Sequence, residues 1–224
     1  MTQSRHFGLV GGLGVGAAML YYQGITTACA ERNIVPRLTM AHAHAPTALA
    51  NVQAGRIDGL ATFLAGFVKE LENAGAEFFA IPAITPHICL AELKRQVSLP
   101  IVDILEVTAN RLRERGLSRV ALFGTKYTID RALFGALDAF DVVRPNDDEV
   151  EEIHRIYLGL ATKGEITPED EARVREMGHT LCRRDSVEAI VLAGTDLNSC
   201  STRPMRDSRR WIAWWRTSTR SWRR

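Results

Sequence analysis

Short apolar runs alternate with longer amphipathic stretches along most of this chain. Phe7-Gly8-Leu9-Val10 has the length and apolarity of a buried strand. It runs into Gly11-Gly12-Leu13-Gly14-Val15-Gly16, and helical spacing then extends from about Ala17 to Arg32. Leu38-Thr39-Met40-Ala41-His42 reads as a second strand, followed by one long helix from about Leu49 to Ala74 that Gly75 would end. Glu77 to Ile81 and Pro100-Ile101-Val102-Asp103 read as two further strands, with a helix then running to Arg115 and stopping at Gly116. The second half restates the pattern. Arg119 to Phe123 reads as a strand, Gly124 to Thr128 as a polar turn and Ile129 to Ala139 as a helix. Asp141 to Pro145 is a strand, 147–162 and 168–184 are helices, and Val187 to Ala193 is the last strand.

Strands that alternate with helices imply parallel sheets and right-handed crossovers. Two similar halves therefore predict an α/β protein of two lobes, 1–99 and 100–200, each a mostly parallel sheet flanked by helices, with a ligand cleft between them. Ligands of such sheets sit at the carboxyl ends of the strands, where the polar turns fall.

Composition changes this picture only at the end of the chain. At 46% hydrophobic and 24% charged residues, the chain has an ordinary globular balance. No apolar run reaches the roughly 18 residues of a membrane helix, and no signal-peptide core follows Met1, so a cytoplasmic location is expected. Cys29, Cys89, Cys182 and Cys200 lack CxxC spacing and a disulfide framework, and read as free thiols. The net charge of +2 averages two unlike segments. Residues 201–224 hold eight arginines and one acid, Asp207; without them, 20 basic and 25 acidic residues leave 1–200 at a net −5. All four tryptophans, Trp211, Trp214, Trp215 and Trp222, also lie in this tail. A basic aromatic arm for nucleic acid or membrane is one reading. The preferred one is a shifted reading frame, because a GC-rich gene read out of frame yields CGG and TGG codons. The tail is then an aberrant segment in place of a terminal helix, and it is expected to form no packed element of the fold.

Several segments carry a resemblance. They are the opening Gly8-Leu9-Val10-Gly11-Gly12-Leu13, the approach Ala74-Gly75-Ala76-Glu77, the turn Ala83-Ile84-Thr85-Pro86-His87, the stretch Gly124-Thr125-Lys126-Tyr127-Thr128 and the turn Gly194-Thr195-Asp196-Leu197. Over about residues 6–200 the chain resembles the aspartate/glutamate racemase superfamily. That resemblance implies a cofactor-independent, isomerase-type protein of amino-acid metabolism, with a small amino acid or carboxylate as ligand and no nucleic acid or membrane partner; a homodimer is left open. The family's paired cysteines would fall on Ala83 and Gly194, so neither face carries the usual thiol base. Ile84 also stands where the family has asparagine. A carboxylate-binding pseudoenzyme and a lyase or cis–trans isomerase variant are the alternatives. Restoring both thiols is expected to raise racemisation far more than either alone, because both faces need a proton carrier. No basic residue stands just after Pro46, where aspartate-specific relatives place an arginine, so strict aspartate specificity is not expected.

Candidate chemistry follows from the same turns. His87 and Asp196 match the family's histidine and acidic residue and are the catalytic candidates, each with a structural role as the plainer reading. Gly12, His44, Thr85, Thr125, Thr128 and Thr195 are the substrate-binding candidates. The glycines at 11, 12, 14 and 16 make a poor dinucleotide fingerprint, and a turn that holds a small carboxylate is preferred to a plain tight turn. His42 and His44 could share a strand face, but no third ligand is evident and no metal is expected. Cys89 and Cys182 read as core packing rather than as substitute thiols.

Overall fold

A computed structural model describes residues 2–163, 165–194, 197 and 211–213. The chain falls into two compact units, Met1–Ile104 and Leu105–Arg224.

The first unit is built on a parallel sheet of order β2-β1-β3, with β1 Thr2–Gly11, β2 Ile34–His42 and β3 Phe78–Ala80. Phe7 to Gly11 is buried throughout, as a strand covered on both faces requires. Helices α1 Val15–Ala30 and α3 Ile57–Asn73 pack on this sheet. Leu60, Leu64, Val68 and Leu71 of α3 recur at helical spacing and join Val10, Phe79 and Ile81 in one core. The expected long helix is in fact two. α2 Ala45–Gln53 ends at Gly55, whose φ of +65 is the left-handed conformation that closes a helix, and α3 starts after Arg56. The apolar periodicity carried through this break and concealed it. The expected strand at Pro100 is only a single bridge, Ile101 to Phe79. Pro100 has no N–H to donate, and the pairing is limited to Phe79 N–H on the Pro100 carbonyl (2.9 Å) and Val102 N–H on the Phe79 carbonyl (2.7 Å). Beyond β3, Thr85–Cys89 forms a 3-10 turn that leads into α4 Leu90–Gln96.

The second unit has the parallel order β5-β4-β6-β7, with β4 Arg119–Phe123, β5 Asp141–Val143 and β6 Ala189–Leu192. Its helices include α5 Ile104–Glu114, which begins at the junction of the units, α7 Asp147–Lys163 and α8 Pro168–Arg184. The helix expected over 129–139 stops early, since α6 is only Lys126–Asp130. Ala132, Leu133 and Phe134 have φ of 43, 56 and 57, and a left-handed turn buries Leu133 instead. The amphipathic spacing is real, but turns satisfy it. A second correction concerns the tail. Backbone of Trp211–Ala213 forms β7, parallel to β6, in the register Ile190 to Trp211, Val191 to Ile212 and Leu192 to Ala213. A fully buried β6 needs partners for the backbone groups along its outer edge, and a short Trp-Ile-Ala run meets that need. The rest of 201–224 lies outside the described residues. No helix among the described residues is long and apolar enough to cross a membrane.

The two units repeat one detail. Glu77, just before β3, accepts from the His6 N–H of β1 at 2.8 Å and returns its own N–H to the His6 carbonyl at 2.8 Å. Glu188, just before β6, accepts from the N–H groups of Ser118 and Arg119 at 2.7 and 2.8 Å and returns its own to the Arg119 carbonyl at 2.9 Å. These bonds hold both carboxyls below the usual carboxylate range, the backbone donors being the largest cause in each.

Candidate functional site

Each unit gathers its candidate residues where strands end. In the first, Gly12 follows β1 with φ +85, and a Cβ placed there would lie 2.1 Å from the Ala43 carbonyl oxygen. The Ala43 N–H donates to the Gly11 carbonyl at 2.9 Å, which draws the two strand ends together and leaves no room for a side chain. His44, exposed at the start of α2, has Nδ1 2.9 Å from Thr47 Oγ1. His42 is exposed as well, and among the described residues no group of three or more His, Cys, Asp or Glu could hold a metal ion.

The turn after β3 carries Ala83, Thr85 and His87. Ala83 is buried and Thr85 half-buried. His87 is 3% exposed, and its Nδ1–H donates to the Ala83 carbonyl at 2.8 Å. That bond assigns the proton to Nδ1 and leaves Nε2 a lone pair that is buried without a partner among the described residues. Burial pushes the imidazole pKa below its ordinary value, with the nearby Asp103 charge opposing. His87 is therefore a neutral ring that pins the turn around Ala83. Cys89 closes the same turn. Its thiol donates to the Pro86 carbonyl at 3.1 Å, and burial pushes its pKa up to about 12. A thiol with that pKa supplies no thiolate at neutral pH.

In the second unit the turn after β4 begins at Gly124. A Cβ there would meet Ala193 C and Gly194 N at 2.9 Å each, so the ends of β4 and β6 touch backbone to backbone. The Gly194 N–H donates to the Phe123 carbonyl at 2.9 Å. Thr125 caps α6: its Oγ1 accepts from the Thr128 N–H at 3.2 Å and lies 2.8 Å from Thr128 Oγ1. Both threonines are buried. Thr195 and Asp196 lie outside the described residues.

Three residues at this end were not singled out from the sequence. Glu151, His154 and Tyr157 recur every third residue along one flank of α7, beside the buried stripe Val150, Ile153, Ile156 and Leu160. Lys126 Nζ pairs with Glu151, and the Lys126 N–H donates to His154 Nδ1 at 3.3 Å. Burial lowers the His154 pKa, so the ring is neutral with its proton on Nε2. Tyr157 is half-buried, and its Cδ2 and Cε2 lie 2.4 and 2.5 Å from where a Cβ on Gly194 would stand. The helix is charged along most of its first half, so a polar repeat on it gave no signal in the sequence. Its proximity to the β6 turn, which depends on tertiary packing, was not legible there.

Comparison with known proteins fits this geometry. The sequence is 31% identical over 140 residues to the broad specificity amino-acid racemase RacX of Bacillus subtilis (strain 168), a match that covers 60% of this chain and 58% of that protein. The fold superimposes on an aspartate racemase homologue from Pyrococcus horikoshii OT3 with a TM-score of 0.78 and 26% identity, over 97% of both chains. A putative Asp/Glu racemase from Yersinia pestis gives a TM-score of 0.81 at 19% identity, over 99% of this chain and 97% of that one. The profile of the Asp/Glu/Hydantoin racemase family matches residues 10–208, and the chain belongs to that family.

Proposed function

We propose that this chain is a cofactor-independent, isomerase-type member of its family that recognises a small amino acid or carboxylate at its strand-end turns and works without a thiol pair. The observation that carries this reading is the glycine backbone packed at those ends. At Gly12 and Gly124 a side chain would meet backbone atoms of a neighbouring strand end at 2.1 and 2.9 Å, so backbone rather than side chains shapes those turns. Such turns bring N–H groups close to an anion, as small-carboxylate recognition needs. The likeness to a broad specificity amino-acid racemase supports an amino acid as ligand, and the absence of a basic residue just after Pro46 argues against strict aspartate specificity. With alanine at 83, glycine at 194 and the Cys89 thiol pushed up to about 12, proton transfer falls to non-thiol groups. His87 and Asp196 remain the candidates named from the sequence. A cytoplasmic location belongs to the same reading.

The test has two arms. Calorimetry with malonate, citrate and the D- and L-forms of aspartate, glutamate and alanine reads recognition, and α-proton exchange in D₂O with the same amino acids reads chemistry. Millimolar or tighter binding of at least one compound, with exchange at its α-carbon, is the expected result. Binding of none of them ends the proposal. Binding without exchange leaves recognition and removes the isomerase.

A further inference from the structure

Helix α1 buries Ala17, Ala18, Tyr21 and Ile25 against the first unit. A second flank of the same helix faces solvent. Val15, Met19 and Tyr22 are 63%, 61% and 49% exposed, more than any other large apolar side chain among the described residues. With Thr26 they follow at steps of four, three and four residues, which is one continuous stripe along a helix and the spacing by which two helices interlock. Thr26 adds no polar demand, because its hydroxyl donates to the Tyr22 carbonyl at 2.9 Å within the helix. Met40 of β2 extends the patch beyond the helix. Its Sδ and the Ala18 Cβ lie 2.8 and 3.5 Å from where a Cβ on Gly11 would stand, and Ala18 adjoins Val15 and Tyr22 on the helix surface.

Charge decides what such a patch can meet. None of the sixteen residues of α1 is charged, whereas α3, α5, α7 and α8 all carry both acids and bases. The arginine-rich segment 201–224 would need acids to pair with, and anionic lipid or nucleic acid would need bases; α1 offers neither. A second copy of the chain needs no charge at all. In a two-fold contact the same patch meets itself, so any charge on it would lie near its like, and a charge-free stripe is the surface that avoids this.

We propose that Val15, Met19, Tyr22 and Thr26 form the contact through which two copies of this chain pair, α1 against α1. One helical stripe is smaller than an obligate interface, so the dimer is weak, with a dissociation constant on the order of 1–100 μM. The pairing is independent of the ligand reading above.

Sedimentation velocity of the full chain over about 1–300 μM tests it. Wild type is expected to pass from monomer to dimer within that range. Met19→Glu and Met19→Lys each set like charges near the two-fold axis and are expected to weaken the dimer about 10-fold or more. An equimolar mixture of the two variants is expected to dimerise about as well as wild type, because opposite charges then meet. If either variant does not fold, Tyr22→Glu and Tyr22→Lys take their place. Oxidation of Met19 by hydrogen peroxide, read by mass spectrometry on wild type alone, is expected to slow as concentration rises. A wild type that stays monomeric throughout overturns the proposal, and binding of that monomer to phosphatidylglycerol vesicles would give the stripe to lipid instead. A dimer that both variants leave intact overturns it in favour of another face. Variants that weaken the dimer without rescue in the mixture overturn the contact of α1 with α1. Protection of Met19 at every concentration overturns it as well, since a segment of the same chain would then cover the stripe.

Discussion

Replacing Gly12 with alanine adds one methyl group, and its cost can be built up from simpler glycines in the same unit. Gly66 lies in α3 with nothing within 4 Å of a Cβ. Alanine there should stabilise by about 0.5–1 kcal/mol, the usual difference between the two residues in a helix. Gly55 has φ +65 and equally open space, so alanine there incurs only left-handed backbone strain, about 1–2 kcal/mol. Gly12 combines φ +85 with a Cβ 2.1 Å from the Ala43 carbonyl oxygen. Adding the cost of overpacking, about 1–3 kcal/mol, gives a total of about 2–5 kcal/mol. The clash involves backbone on both sides, so a rotamer change cannot relieve it. Urea unfolding followed by far-UV circular dichroism reads the series. With an m-value of about 1–3 kcal/mol/M, the Gly12 variant should lose on the order of 1–2 M in midpoint, with the Gly66 variant slightly above wild type and the Gly55 variant between them. Because all three sites share the first unit, the comparison survives separate unfolding of the two units. A Gly12 variant that unfolds with the Gly55 variant would refute the carbonyl clash and with it the close approach of β1 and β2.

Two further outcomes follow from buried titratable groups. The His87 pKa is depressed in the folded chain, so the unfolded state binds the extra proton; the stability gained by burying a neutral ring is complete above about pH 6.5 and is lost as pH falls below it. Urea midpoints from pH 7.5 down to 5 should therefore fall more steeply for wild type than for His87→Gln, and parallel slopes would count against a neutral buried ring. Cys89, with its pKa pushed up to about 12, should escape iodoacetamide at pH 8 in the native protein and react fully in urea. Mass spectrometry of the peptide containing Cys89 reads the difference, and equal labelling in both states would place that thiol at the surface.

The strands of this fold were legible because the central ones are continuous apolar runs. Phe7 to Val10, Val120 to Phe123 and Ala189 to Leu192 are buried on both faces, and few other arrangements hide so many adjacent side chains. What the sequence hid was decided by single backbone conformations. Gly55 breaks a helix whose apolar spacing continues unchanged across it, and the left-handed residues 132–134 bury Leu133 where a helix would have served as well. Paired backbone at β7 overrode the poor composition of the tail. At the candidate site, glycine turns and Thr125 were readable as local chemistry. The neutral state of His87 depends on complete burial, and the contact between Tyr157 and Gly194 joins residues 37 positions apart, so neither leaves a local signal.

The glutamates before β3 and β6 divide labour within each sheet. Their hydrogen bonds fasten the amino ends of the strands, and a strand so fastened cannot slip by one residue without losing them. The turns that would meet a ligand are at the other ends. Register is thus secured at one end of the strands, and the glycine turns at the other end are not needed for it. Substitution at positions such as 83 and 194 leaves the hydrogen bonds of Glu77 and Glu188 in place, so the strands are held in register independently of what stands in the turns at their far ends.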